Sequence, residues 1–157
     1  MTMTVKDIDK GFRKLQAEFA KLAGTGGKHV SMGILGDETN TDGTPLLLIA
    51  LVHEFGSPTR GIPQRSWLRS SALKNGAKWM ELAKKVLGKA ADGKLELEVA
   101  LGLVGERMLA DTKAGIRAGI APPLKPETIA RKGSSKPLID TGQFINSIAY
   151  KVSNNEG

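Results

Sequence analysis

The sequence predicts an α+β fold: a small, mostly antiparallel sheet packed with an N-terminal helix and two long helices, and a long proline-rich loop near the C-terminus. Three observations predict it. Apolar residues recur every three or four positions in three separate stretches, the period of a helix with one buried face. Two short stretches, near residues 29–36 and 148–152, instead alternate with period two, as half-buried strands do. Between the second long helix and the last strand lies a segment rich in proline and turn residues.

The elements follow in order. Val5, Ile8, Phe12, Leu15, Phe19 and Leu22 define an N-terminal helix over about residues 5–23, which the glycines of GTGG at 24–27 end. Its lysines and arginine fall between those positions, on a solvated face. HVSMGILG sets Val30, Met32 and Ile34 on one face of a strand, and GDETNTDGT after it is a polar, acidic, mobile surface loop. PLLLIALVHEF opens on a proline where a helix tolerates one and predicts a short buried helix. SWLRSSALKNGAKWMELAKKVLGKAA is the first long helix, with Leu73, Ala77, Met80, Ala83 and Leu87 on one side. The second runs from about Leu95 to Ala118, with Leu97, Leu101, Val104 and Met108 in register. Gly102 and Gly105 inside it each cost roughly 1 kcal/mol relative to alanine and point to close approach by another backbone. The proline-rich arm, about residues 120–137, carries the chain back to the sheet, and Ile148, Tyr150 and Val152 close it on a strand.

At 157 residues the chain fits one domain, 1–157, able to bury a core without metals or disulfides. With no cysteine, thiolate nucleophiles and cysteine zinc sites are excluded. The charged start MTMTVKDIDK lacks the apolar core of a signal peptide, and no apolar run approaches the roughly 20 residues of a membrane span, so the expectation is a soluble protein with no membrane role. The net charge of +7, from 23 Lys+Arg against 16 Asp+Glu, favours an acidic partner surface or a polyanion. The lysines are scattered and aromatic residues few, which weakens a nucleic-acid reading.

Catalytic motifs fail one by one. His53-Glu54 begins like the zinc motif H-E-x-x-H, but Ser57 stands where the second ligand belongs. His29 lies at a strand start, where an exposed or hydrogen-bonded imidazole is the simpler reading. No G-x-S-x-G elbow is present, and GTGGK lacks the spacing of a phosphate-binding loop. The D-T-G triplet beginning at Asp140 reads more simply as a helix cap than as an aspartic-protease fragment. No metal, cofactor or enzymatic activity is expected.

Two longer phrases are more specific. The first sets Val52, His53, Glu54, Phe55 and Gly56 ahead of a basic loop and then Ile62, Pro63, Arg65, Trp67, Leu68 and Arg69. The second runs Thr128, Ile129, Ala130, Arg131, Lys132, Gly133 and, after a spacer, Pro137, Leu138, Ile139, Asp140, Thr141, Gly142, Ser147 and Ile148. In this order they resemble the tail-completion, or neck, proteins of long-tailed bacteriophages, of the lambda protein Z type. The resemblance spans about residues 30–153; Ser66 and Trp67 stand where the family usually has Pro and Phe, and the N-terminal helix matches no phrase.

The resemblance implies a non-enzymatic virion protein, assembled in the host cytoplasm and located at the head–tail junction. It would form a ring, expected to be sixfold, between the head connector or stopper and the tail terminator or tail tube, with DNA passing through the lumen. The subunit-contact candidates are Glu54, Arg60, Arg65, Trp67, Arg69, Arg131 and Asp140. Gly56 and Gly61 allow a tight loop, Pro58 and Pro63 stiffen it, and its arginines suit bidentate contacts to carboxylates. Glu54 could meet an arginine of its own chain, Arg65 foremost, or of the next subunit. A tail-terminator ring, a basic nucleic-acid-binding protein and a hydrolase built around His53 and Glu54 are the alternatives.

Overall fold

The computed structural model describes residues 27–132, Leu138 and residues 142–154. The expected N-terminal helix at 5–23 lies outside them. β1 (His29–Ile34) is followed by α1 (Leu46–Phe55), a 3-10 turn (Pro58–Arg60), α2 (Trp67–Ala91), α3 (Leu97–Ala118), α4 (Pro126–Lys132), α5 (Gln143–Ser147) and β2 (Ile148–Ser153). The described part is thus a two-stranded antiparallel sheet with five helices, two of them long, an α+β fold.

The strands pair from His29 opposite Ser153 to Ile34 opposite Ile148, which joins the start of the described chain to its end. Val30 faces Val152, Met32 faces Tyr150 and Ile34 faces Ile148, so the alternating residues of both strands share one face. That face packs on two clusters. One gathers Ala50, Trp67, Ile116, Phe144, Ile145 and Ile148; the other gathers Ala83, Val86 and Leu87 of α2 with Ala100, Leu101 and Val104 of α3. The two long helices form a pair joined by a short turn. The amide of Gly93 (φ 69°) donates to the Ala90 carbonyl at 3.0 Å and that of Lys94 to Lys89 at 2.9 Å, the crossed pattern that ends a helix on glycine.

Four expectations are corrected. The buried face of α2 is Trp67, Ser71, Asn75, Trp79 and Ala83, while Leu73 stands 88% exposed. The reason is a polar seam: the hydroxyls of Ser71 and Thr112 share a 2.8 Å hydrogen bond, and Asn75 Nδ2 donates to the Ser71 carbonyl at 3.2 Å. Small polar residues can fill an interhelical seam when they pair across it, and hydrophobic periodicity does not see them. In α1 only Leu46, Ala50 and Glu54 are buried, so the helix is half-exposed instead of enclosed. The proline-rich arm contains α4, which starts on Pro126 with Glu127 in its first turn, two favourable N-terminal residues. Finally, Gly105 receives a side chain and not a backbone: a Cβ there would meet Tyr150 Cδ2 at 2.3 Å and Cγ at 2.7 Å. Tyr150 Oη then donates to Glu106 Oε1 at 3.3 Å. The loop at 36–44 is at the surface as expected, and it is closed by hydrogen bonds of 2.8 Å from Asn40 N to Thr44 O and 2.9 Å from Gly43 N to Asn40 O.

Gly105→Ala should destabilise the protein by about 1–3 kcal/mol, because the root of the Tyr150 ring has no room to give. Gly102→Ala, whose Cβ would lie an ordinary 3.8 Å from Tyr150 Oη, should instead be neutral or stabilising by up to about 1 kcal/mol. Urea unfolding of the pair gives the two signs directly.

Asp111 ties the long helices together, accepting from Trp79 Nε1 and from Arg107 Nε, each at 2.8 Å. Partial burial alone would raise its pKa, but hydrogen bonds from Arg107 and Trp79, with the Arg107 and Lys78 charges, hold it below the usual carboxylate value. A depressed folded pKa contributes stability above the unfolded value of about 3.9, and the contribution is lost as pH falls through the folded value. The stability gap between the native protein and Asp111→Asn should therefore be full at neutral pH and shrink below about pH 4, as thermal unfolding at a series of pH values would show.

Candidate functional site

Residues 51–69 form a joint between α1 and α2. Gly56 leaves α1 at φ 77°, and a Cβ there would meet Gln64 N at 2.9 Å, so the position requires glycine on both counts. Ser57 and Ile62 then exchange backbone hydrogen bonds of 2.8 and 3.0 Å, closing a small hairpin over the 3-10 turn, with Gly61 at φ 62° as its left-handed corner. The chain returns with the Arg65 amide donating to the His53 carbonyl at 2.7 Å.

The helix ends at this joint cap one another. α2 has Ser66 at its N-cap, but that side chain makes no capping bond to its own helix. Its hydroxyl donates to the Glu54 carbonyl at 3.1 Å, as do Gln64 Nε2 at 3.1 Å and Arg69 Nη2 at 3.1 Å. The orphan carbonyl at the end of α1 is thereby satisfied from the loop and from the first turn of α2. In return the buried Glu54 carboxylate accepts from the amides of Leu68 at 2.9 Å and Arg69 at 3.3 Å, and from Arg69 Nε at 2.9 Å. A carboxylate borrowed from another helix thus does the work of an N-cap, where the α2 amides and macrodipole both favour negative charge. Arg69 also lies over the Phe55 ring, 5.1 Å from its centroid, and Trp67 Nε1 donates to the Ala50 carbonyl at 3.1 Å.

The arginine that meets Glu54 is therefore Arg69 of the same chain, and Arg65 turns the other way. Arg65 is 4% exposed, with Nε donating to the Pro122 carbonyl at 2.8 Å and Nη2 to the Pro123 carbonyl at 3.2 Å. Glu54, Arg65 and Trp67 lie inside the fold, which leaves Arg60 and the outer part of Arg69 on the surface from this loop. Arg131 lies in α4, and Asp140 is outside the described residues.

Beside the joint lies a cavity of about 860 Å³. Its walls come from α1 (Leu46, Ile49, His53), the loop (Arg60, Ile62, Pro63, Arg65), the arm (Pro122 to Lys125) and Phe144. Sequence reasoning missed the arm's share in it. The available signal was the Pro122-Pro123 pair, whose residues have no N–H and whose carbonyls call for a donor from elsewhere. Among the described residues no three His, Cys, Asp or Glu side chains gather where they could hold a metal ion, and no helix is long and apolar enough to cross a membrane. No family model, curated protein or solved structure matches the chain.

Glu54→Gln should lower stability by about 2–3 kcal/mol, because a neutral amide replaces the acceptor of three hydrogen bonds, one of them ionic. Arg65→Ala should cost about 2–4 kcal/mol by stripping two arm carbonyls of a charged donor. Arg60→Gln, on an exposed position, should stay within about 0.5 kcal/mol. Chemical denaturation of the three variants checks the ranking.

Proposed function

We propose that this protein is a structural component of a phage virion, a ring subunit that completes the tail and joins it to the head connector. The observation that carries an assembly role is the outer face of α1. Leu47, Leu48, Leu51 and Phe55 are 49, 45, 47 and 62% exposed on a helix whose opposite face, Leu46, Ala50 and Glu54, is buried. A helix anchored on one side with large apolar residues on the other presents a contact surface. The two phrases at 52–69 and 128–148 support the choice of assembly, since the residues quoted for the first build the joint that holds α1 in place.

On this reading α1 presents its apolar face to the next subunit, with Arg60 and Arg69 at its end as the polar rim. A subunit contact between two different surfaces repeats around an axis and forms a ring where its rotation closes. The connector or stopper and the tail terminator or tube would then meet the two faces of that ring, expected to be sixfold, with DNA threading the lumen.

The test is electron microscopy of the purified protein together with complementation of a phage lacking its gene. Rings from the native protein, and neither rings nor joined particles from Leu48→Glu/Leu51→Glu with its unfolding midpoint unchanged, are the expected results. A native protein that stays monomeric at every concentration while the double variant joins heads to tails normally would overturn the proposal.

A further inference from the structure

Arg65 is a charged group almost wholly out of water whose hydrogen-bond acceptors among the described residues are neutral. Its Nε and Nη2 bonds go to the backbone carbonyls of Pro122 and Pro123, and among the described residues no carboxylate lies in ion-pair range of it. Burial accordingly depresses its pKa. Both bonds use one edge of the guanidinium, so its end-on edge, Nη1 with the second Nη2 hydrogen, carries no bond among the described residues. Arg65 lines the 860 Å³ cavity. Arg60 and Lys125 line it as well, against a single exposed carboxylate among the described residues, Glu127, and the remaining walls include Ile62, Leu124 and Phe144.

We propose that this cavity is a socket for a carboxylate-bearing, otherwise apolar peptide segment supplied by a neighbouring protein. A carboxylate matches the planar end of a guanidinium with two parallel hydrogen bonds, and its charge is opposite to that of the buried arginine. The apolar walls accept the flanking side chains, while Arg60 and Lys125 draw the acidic segment in from solvent. Duplex DNA fits less well: its phosphates sit on a broad outer surface, and a guanidinium 4% exposed inside a cavity is out of their reach. That the segment belongs to an adjoining virion ring rests on the function proposed above; the socket itself rests on the cavity alone.

The experiment is a nuclear magnetic resonance titration of the full-length, isotope-labelled protein with the blocked tripeptide acetyl-Leu-Glu-Leu-amide. Its arms are acetyl-Leu-Gln-Leu-amide, inorganic phosphate and a short DNA duplex. The glutamate peptide is expected to shift the amides of Gly61, Ile62 and Leu124 and the Arg65 Nε–H, with the glutamine peptide at least fivefold weaker. Arg60→Gln/Lys125→Gln, two surface changes that leave the unfolding midpoint in place, should weaken binding at least threefold. Equal response to the two peptides, a stronger response to phosphate or DNA, or no response would overturn the socket. Phage complemented with the double variant separates the two readings. Failure to join heads to tails supports a neck partner, whereas normal joining alongside lost peptide binding keeps the socket and overturns the assignment of its partner to the neck.

Discussion

The Glu54 carboxylate is the constraint on which the rest of the joint depends. A helix beginning at Trp67 has amides without partners, and its own N-cap serine is engaged elsewhere. Glu54 supplies the missing acceptor from the last turn of α1, and Arg69 closes the circuit by donating to both its carboxylate and its carbonyl. The angle at which α1 meets α2 is therefore set by a reciprocal bond pattern and not by loop length. Once that angle is set, Trp67 reaches Ala50, its ring meets Phe144 edge-on at 5.4 Å, and the core cluster beneath the sheet is closed.

Much of this was legible in the sequence, and the part that was not has a physical explanation. Both strands appear where period-two alternation puts them, and α1, α2 and α3 begin within two residues of their expected starts. The segment holding Glu54 and the arginines also stood out. What spacing could not decide was which arginine Glu54 takes. That choice depends on where the first turn of α2 begins, because a carboxylate parked at that turn reaches the amide and the guanidinium of Arg69 together. The face of α2 was misread for a related reason: Ser71 and Thr112 pair their hydroxyls across the buried helix seam, and Asn75 bonds back to Ser71 on its own helix.

Tyr150 shows the same dependence on distant partners. Gly102 and Gly105 of α3 carry no clue to what approaches them, since a helix, a strand backbone or a ring would each exploit the missing Cβ. β2 resolves it, because the pairing that sets Tyr150 opposite Met32 places its ring on Gly105. Sheet register and helix packing are thus coupled through one residue, and a slip of one position would turn Tyr150 to the other face of the sheet.

The loop's charges divide by depth, and that division separates positions committed to the fold from positions open to other molecules. Glu54 and Arg65 are committed inside the chain, so changes there act first on stability. Arg60, Lys125 and the outer leucines of α1 are exposed, so changes there act first on contacts with other molecules. Arg65 belongs to both groups. Its side-on edge braces the arm, the residue lines the cavity, and the arm it braces forms one wall of that cavity. A ligand held there would therefore meet a guanidinium already fixed by two hydrogen bonds, and little further ordering of that side chain would be required on binding. The contact that stabilises the chain is thus the same one that shapes the proposed socket.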